Sequence, residues 1–173
     1  MTPGLRKLVL VTHVVSSVGA LGAVAVFFAL SIAGLSSDDA QMVRAAYLAM
    51  DFTARLVIVP LVLVSLLIGI VQSLTTQWGL FRHYWVLAKL VLTVFVTVVL
   101  LLQMDAISYL ASASAETAFS GGDLLGVRRS IRTHAAGGLV VLLLIVGLSI
   151  YKPRGLTRYG WRKQHAERAL PPP

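Results

Sequence analysis

The chain has 173 residues, of which 57% are hydrophobic and only 13% are charged, and its mean hydropathy is +0.84. Soluble domains are about half apolar and a quarter charged, so this composition excludes an ordinary soluble protein. The absence of cysteine excludes disulfides, thiolate metal sites, c-type haem attachment and lipidation of a cysteine. Fifteen lysine and arginine residues against seven acids give a formal net charge of +8.

The apolar residues form four blocks, at 8–35, 52–74, 84–106 and 133–151. Each block is close to the ~20 residues that a helix needs to cross about 30 Å of hydrocarbon. The first block is longer than the core of a secretory signal, so we interpret it as a retained helix. The blocks are continuously apolar, and a short hairpin at 75–83 joins antiparallel neighbours. The sequence therefore predicts an all-α, polytopic membrane protein: four transmembrane helices in an up-down-up-down bundle, one domain over 1–173, with a basic tail at 152–173.

The distribution of basic residues orients this predicted bundle. With the N-terminus inside, ten of the fifteen lysines and arginines fall in cytoplasmic segments, and six of the seven acids fall outside. The positive-inside rule then predicts that both termini lie in the cytoplasm. Because the positive charge lies beside the membrane ends, it favours anionic lipid headgroups as the partner of the basic tail and argues against nucleic acid.

The connection at 36–55 begins with serines followed by acids, a helix-capping pattern that predicts an extension of the second helix outside the membrane. Within it, Asp51 and Arg55 are four residues apart and are predicted to pair on one helical face. Pro60 removes a backbone donor and predicts a kink in the second helix.

The last connection, at 112–132, is small, polar and glycine-bearing. These residue types are typical of a loop, and the apolar residues near its end are spaced for one helical face. The sequence therefore predicts an external loop with a short amphipathic turn near 124–131.

Lys89 lies six residues into the predicted third helix, where an ionisable side chain is a functional candidate. Asp105 follows sixteen residues later, about 24 Å along a helix, so neither charge is predicted near the midplane. The stretch KLVL that starts at Lys89 repeats the KLVL that starts at Lys7. This favours the interpretation that both lysines mark the bilayer boundary, with a buried functional Lys89 as the alternative.

His13 is the second ionisable candidate on the cytoplasmic side. One interpretation is a structural hydrogen bond, with Thr12, Gln72 or Lys89 as the partner, and the other is a ligand to a cofactor such as haem. His134 is predicted about 27 Å from the inner boundary and His13 about 9 Å from it. Axial nitrogens on one iron are only about 4 Å apart, which argues against a haem shared by the two histidines.

A denser polar group is predicted at the outer end, where Asp51, Asp105 and His134 lie at similar depth. A histidine with two carboxylates binds divalent metals, and Met50 and Met104 beside the acids are soft ligands suited to copper. The alternative is an ion-paired rim that caps the bundle against water, which the lack of a fixed ligand spacing favours.

Three stretches carry a resemblance to a known family: THVVSSVGALGAV at 12–24, WGLFRHYWVLAKLVLTV at 78–94 and HAAGGLVVLLLIVGLSIYKPRGLTRYG at 134–160. With them the chain resembles small four-helix proteins of the bacterial inner membrane that are grouped as a domain of unknown function. His13 and His134 are also similar to the membrane-embedded histidines of copper-resistance permeases. The resemblance implies the four-helix fold and the inner-membrane location, and it implies no established activity.

The sequence contains no phosphate-binding loop, no nucleophile with a base and no zinc-protease motif, so an enzyme is not favoured. The first functional hypothesis is a non-catalytic accessory or interaction subunit that associates with a second copy of itself or with a membrane complex. The alternative is a protein that handles haem, quinone, copper or another ion. Its candidate ligands are His13, Lys89, Asp51, Asp105 and His134.

Overall fold

Helices make up nearly all of the fold. A computed structural model describes residues 2–75, 79–115, 124–153 and 155–169. Its helices are α1 (Pro3–Ser36), α2 (Ala40–Thr53), α3 (Val59–Thr75), α4 (Tyr84–Ala115), α5 (Leu125–Tyr151) and α6 (Arg158–Ala169). A π-helical segment, Ala54–Ile58, joins α2 to α3, so that Ala40–Thr75 is one continuous rod. The predicted all-α class is confirmed, and α1, the Ala40–Thr75 rod, α4 and α5 are long and apolar enough to cross a membrane.

The four long rods form a closed ring, because each packs on the next in sequence and α5 packs on α1. Ser17 in the first half of α1 meets Ser65 in the second half of the Ala40–Thr75 rod. Asp51 early in that rod meets Ser108 late in α4, and Lys89 early in α4 meets Ser149 late in α5. Successive rods therefore run in opposite directions, as the up-down-up-down prediction requires. We call the end that carries the N-terminus and α6 the tail end, and the opposite end the loop end.

The rods are longer than the apolar blocks, chiefly at the loop end. Asp39 caps α2 by accepting a hydrogen bond from the Gln41 amide at 2.9 Å, which starts that helix well before residue 52. The predicted short turn at 124–131 is instead the first two turns of α5. Apolar blocks mark the stretch that lipid surrounds, whereas a helix continues into water wherever one face remains buried. Residues 116–123 of the predicted external loop lie outside the described residues.

The π-helical segment lies immediately before Pro60. A proline inside an α-helix lacks an N–H, and its ring clashes with the carbonyl four residues earlier. The Val59 N–H bonds to the Ala54 carbonyl, five residues back, which adds a residue to the turn that precedes the proline. The sequence predicted a kink at Pro60, and the observed feature is this π bulge.

The tail folds back on the hairpin between α3 and α4. Lys152 ends α5 in the left-handed conformation (φ 43°), and Pro153 follows, a residue that seldom continues a helix. An isolated bridge then pairs Leu156 with His83, and the Thr157 amide donates to the Arg82 carbonyl at 3.0 Å. The Thr157 hydroxyl accepts from the Gly160 amide at 3.0 Å and so caps α6. The start of the basic tail, at 155–157, is therefore held against the hairpin by main-chain hydrogen bonds.

Candidate functional site

A set of polar side chains inside the tail-end half of the bundle forms what we call the polar layer, which consists of His13, Ser17, Ser65, Lys89, Thr93 and Ser149. All four rods contribute to it, and the Ala40–Thr75 rod does so through Ser65 on α3. The closely packed apolar core lies mainly toward the loop end, around Met50, Ala54, Ile58 and Leu110, which are at most 2% exposed. The polar layer therefore lies where this packing is looser.

His13 is tied to the neighbouring rod. Its Nδ1 lies 3.1 Å from the carbonyl oxygen of Ser65, and because a carbonyl only accepts, a neutral ring carries its proton on Nδ1. Ser17 donates to the His13 carbonyl at 2.7 Å, and its hydroxyl lies 2.7 Å from that of Ser65. Gly69 leaves room for the ring, since a Cβ there would lie 3.0 Å from Cε1. The predicted hydrogen bond exists, with Ser65 in place of Thr12, Gln72 or Lys89.

Lys89 points between α4 and α5 toward Ser149. Its Nζ donates to the Ser149 hydroxyl at 3.2 Å and lies 4.7 Å from the centre of the Trp85 ring, a cation–π distance. Thr93 donates back to the Lys89 carbonyl at 2.8 Å. The lysine thus lies close to the tail end, as a boundary residue does, and its ammonium faces a partner helix instead of lipid.

A small cavity of about 40 Å³ adjoins the polar layer. Its polar lining comes from Ser17, Ser65 and Thr93, and the rest is apolar: Ala20, Leu21, Val62, Val96, Leu142, Ile145 and Val146. A water needs roughly 10–15 Å³ of such space, so the cavity has room for about two or three waters or one small ion. Sites for haem or quinone sized ligands run to several hundred Å³, so neither fits in this cavity.

His134 lies apart from the polar layer. It is exposed on α5, and its Nδ1 lies 2.8 Å from the Ser130 carbonyl of the preceding turn. Leu142 lines the cavity eight residues further along α5, which is about 12 Å of helix. His13 lies one turn beyond Ser17 on the other side of the cavity. The two histidines therefore do not share a cofactor position, in agreement with the argument from depth against a shared haem.

Asp51 belongs to a polar cluster at the loop end. Arg55 Nε lies 3.0 Å from Asp51 Oδ1, which confirms the predicted pair, and Ser108 on α4 donates to the same oxygen at 2.7 Å. Arg55 also donates to the Ser108 hydroxyl. This three-residue contact joins the Ala40–Thr75 rod to α4 beside the π bulge.

The predicted metal site at Asp51, Asp105 and His134 is not formed. Asp105 and His134 are exposed, and the described part of the chain contains no group of three His, Cys, Asp or Glu residues able to hold a metal. Met50 is 1% exposed within the apolar core. The prediction used depth alone, whereas a shared site also needs each side chain on the inward face, and a helix turns about 100° per residue.

Arg128 is a buried charged residue that the sequence analysis did not single out as a candidate. It is 7% exposed, its Nε donates to the Tyr47 hydroxyl at 2.7 Å, and its guanidinium also donates to the Gly34 carbonyl. Gly34 lies in the last turn of α1, where carbonyls lack intrahelical partners. Arg128 shares its face with the buried Ile131 and Ala135, three and seven residues on. This spacing from two apolar residues is the sequence pattern that indicates an inward-facing Arg128.

Comparison of the chain with protein-family models, with curated proteins and with solved structures gives no match. The contacts of the interior polar side chains are therefore the evidence from which the function is proposed.

Replacing His13 by alanine is expected to lower the free energy of unfolding by about 1 kcal/mol, because one interhelical hydrogen bond and the packing of one ring are lost. His134→Ala is the matched control, since that ring is exposed and bonds within its own helix. The melting temperatures of both variants, purified in the same detergent, measure the difference. Equal effects of the two replacements would contradict a tying role for His13.

Replacing Ser108 by alanine is expected to cost about 0.5–1 kcal/mol, because Asp51 and Arg55 lose their shared partner on α4. Ser112→Ala serves as the control, since the Ser112 hydroxyl donates to the Tyr109 carbonyl of its own helix. Thermal unfolding in detergent compares the two variants, and a Ser112→Ala effect as large as that of Ser108→Ala would refute the interhelical assignment.

Proposed function

We propose that the protein is a non-catalytic accessory or interaction subunit of a bacterial inner-membrane system, with both termini in the cytoplasm. One observation carries this proposal: the ionisable side chains inside the bundle serve as ties between helices. His13 joins α1 to α3, Lys89 joins α4 to α5, and Arg128 joins α5 to α1 and α2. Over the described residues, no buried side-chain nitrogen or oxygen lacks a hydrogen-bond partner.

These ties favour a scaffold because polar groups in a membrane are costly unless they are satisfied. A catalytic or ligand-binding group must exchange its partner for substrate during each cycle. His13, Lys89 and Arg128 are instead engaged across helix interfaces, which supports a rigid bundle that presents surfaces to other proteins. The partner is a second copy of the chain or another subunit of a membrane complex.

The first test is an absorption spectrum of the purified protein, oxidised and dithionite-reduced, with metal analysis on the same sample. A scaffold is expected to be colourless and to carry no stoichiometric metal. A Soret band or about one copper per chain would overturn the proposal. The same tagged chain, solubilised from its native membrane, is expected to migrate well above its 18.6 kDa mass on a native gel, and migration as a lone chain would contradict an interaction role.

A second candidate function, the handling of a proton or small cation, is favoured by the cavity beside the polar layer. Three hydroxyls, from Ser17, Ser65 and Thr93, line a space that holds a few waters or one ion within the bundle. His13 and Lys89 lie toward its tail end. Uptake by proteoliposomes, followed with a pH-sensitive dye and with Na⁺ or K⁺ gradients, tests this. Uptake that is abolished in a Ser17→Val variant would favour ion handling over the scaffold.

A further inference from the structure

A pocket of about 270 Å³ opens at the tail end, between the hairpin and α6. Its side-chain lining consists of two cations, one phenol and three apolar groups: Arg82, Lys163, Tyr159, Leu74, Leu80 and Phe81. The pocket shares no lining residue with the polar layer or its cavity, so it belongs to neither of the functions proposed above.

The walls of the pocket are held in place by the main chain. The Thr157 amide and hydroxyl donate to the carbonyls of Arg82 and Phe81, so the start of α6 is fixed to the hairpin. A Cβ on Gly160 would lie only 2.2 Å from the Arg82 carbonyl oxygen, and Gly79 turns the hairpin with φ +59°. The close approach at Gly160 and the positive φ at Gly79 each require glycine. The chain therefore fixes the base of α6 beside Arg82, and with it the positions of Tyr159 and Lys163.

The charge in this pocket is positive. Arg82 and Lys163 line it together, and none of its described lining residues is acidic. A guanidinium, an ammonium and a phenol O–H are all donors, and phosphate oxygens accept charge-assisted hydrogen bonds from such groups. The polar part of the pocket therefore suits an anion that carries several acceptor oxygens.

The remaining wall is apolar and lies where a membrane-spanning rod ends. Leu74 is the penultimate residue of α3, and Leu74, Phe81 and Tyr159 are each more than half exposed. Side chains at this level contact the boundary between headgroups and acyl chains, and aromatic rings are favoured there. A free anion gains nothing from these side chains, whereas a lipid places its phosphate on the cations and its acyl chains on the apolar wall.

We propose that this pocket binds the phosphate headgroup of a single anionic phospholipid, with Arg82 and Lys163 as the charged contacts. This is a defined site, distinct from the general attraction that a basic tail has for an anionic membrane surface. It holds whether the protein is a scaffold or an ion handler.

Native mass spectrometry of the full-length protein in neutral detergent tests this proposal, with phosphatidylglycerol and phosphatidylcholine of identical acyl chains as the probes. The wild-type chain is expected to prefer phosphatidylglycerol. Arg82→Gln and Lys163→Gln should each lower that affinity about five-fold, and the double variant about thirty-fold, while binding of phosphatidylcholine stays the same. Lys163→Arg keeps the charge and should retain the affinity.

Arg162→Gln is the matched control, because Arg162 is the chain neighbour of Lys163, is exposed, and does not line the pocket. An equal loss of affinity in this variant would overturn the site, since it would show diffuse attraction to the whole tail. Competition by inorganic phosphate as effective as that by phosphatidylglycerol would also overturn it, because the acyl chains would then contribute nothing. Lys163 is exposed, so its replacement leaves the packing of α6 intact, and circular dichroism checks that the fold is retained.

Discussion

Replacing Arg128 by alanine is expected to lower the free energy of unfolding by about 3 kcal/mol or more, the largest effect of any single side chain considered. The replacement leaves the Tyr47 hydroxyl and the Gly34 carbonyl buried without their shared donor. A buried polar group that loses its partner costs about 1–3 kcal/mol, and two such groups are created at once. The cation–π contact of Arg128 with the Tyr47 ring, at 5.5 Å from its centre, is also lost.

Electrostatics adds to this expectation. Arg128 lies in the first turn of α5, where the helix dipole disfavours a cation, and it contacts the last turn of α1, where the dipole favours one. The position of the guanidinium at the C-terminus of α1 therefore offsets its unfavourable position on its own helix. Arg128→Lys keeps the charge and loses the fork of donors, so we expect an intermediate loss of stability.

Arg129→Ala is the control for this prediction, because Arg129 is the exposed neighbour on the same turn and its replacement removes the same charge. Its effect is expected to stay below about 0.5 kcal/mol. Melting temperatures of the three variants, measured in one detergent, provide the comparison. A stable Arg128→Ala protein would show that the tie between α5 and α1 contributes little.

Replacing Gly160 by alanine is expected to detach α6 from the hairpin while leaving the four long rods folded. The added Cβ would lie 2.2 Å from the Arg82 carbonyl oxygen and 3.0 Å from the carbonyl carbon, both backbone atoms that a rotamer change does not move. Overpacking of this kind typically costs about 1–3 kcal/mol, comparable with the few hydrogen bonds that hold the start of α6. We therefore expect the docked state to lose most of its population.

Hydrogen exchange at the Thr157 amide measures this detachment directly, because that amide donates to the Arg82 carbonyl in the docked state. Its exchange rate is expected to rise about tenfold, corresponding to 1.4 kcal/mol of lost protection. Gly155→Ala is the control, since a Cβ there meets Tyr84 at an ordinary 3.6 Å. Unchanged exchange in the Gly160→Ala variant would mean that the hairpin yields to the extra methyl group.

Local sequence patterns predicted the features that depend on nearby residues. The four apolar blocks predicted the four rods, and the four-residue spacing of Asp51 and Arg55 predicted their ion pair. The capping pattern that follows residue 36 correctly predicted that the second helix extends beyond its apolar block. The loop-side ends of α4 and α5 lie beyond the apolar blocks that predicted them, because the outer turns bury only one narrow face. In α2 that face consists of Val43, Ala46, Tyr47 and Met50, whose spacing follows the helical period.

The interior contacts were predicted less well, because they depend on how each rod is rotated about its axis. A soluble helix reveals its inward face through a polar outward face, but a rod in lipid is apolar on all sides. His13 was correctly expected to form a hydrogen bond within the bundle, yet its partner is Ser65 and not one of the three expected residues. Asp105 and His134 were predicted from depth alone, and both side chains are exposed, so they do not meet Asp51.

Composition and hydropathy by themselves determined that the chain is helical, that it has four rods able to cross a membrane, and that successive rods run in opposite directions. Helices are required because they satisfy their own backbone hydrogen bonds in hydrocarbon, and short connections make neighbouring helices antiparallel. Apolar blocks and connection lengths are both visible in the linear sequence. Only the tertiary structure decided that Arg128 ties three helices, that Lys89 faces Ser149, and that α6 folds back on the hairpin. Those contacts join residues sixty or more positions apart, and which side chains meet depends on helix rotation and close packing, which an apolar sequence does not encode locally.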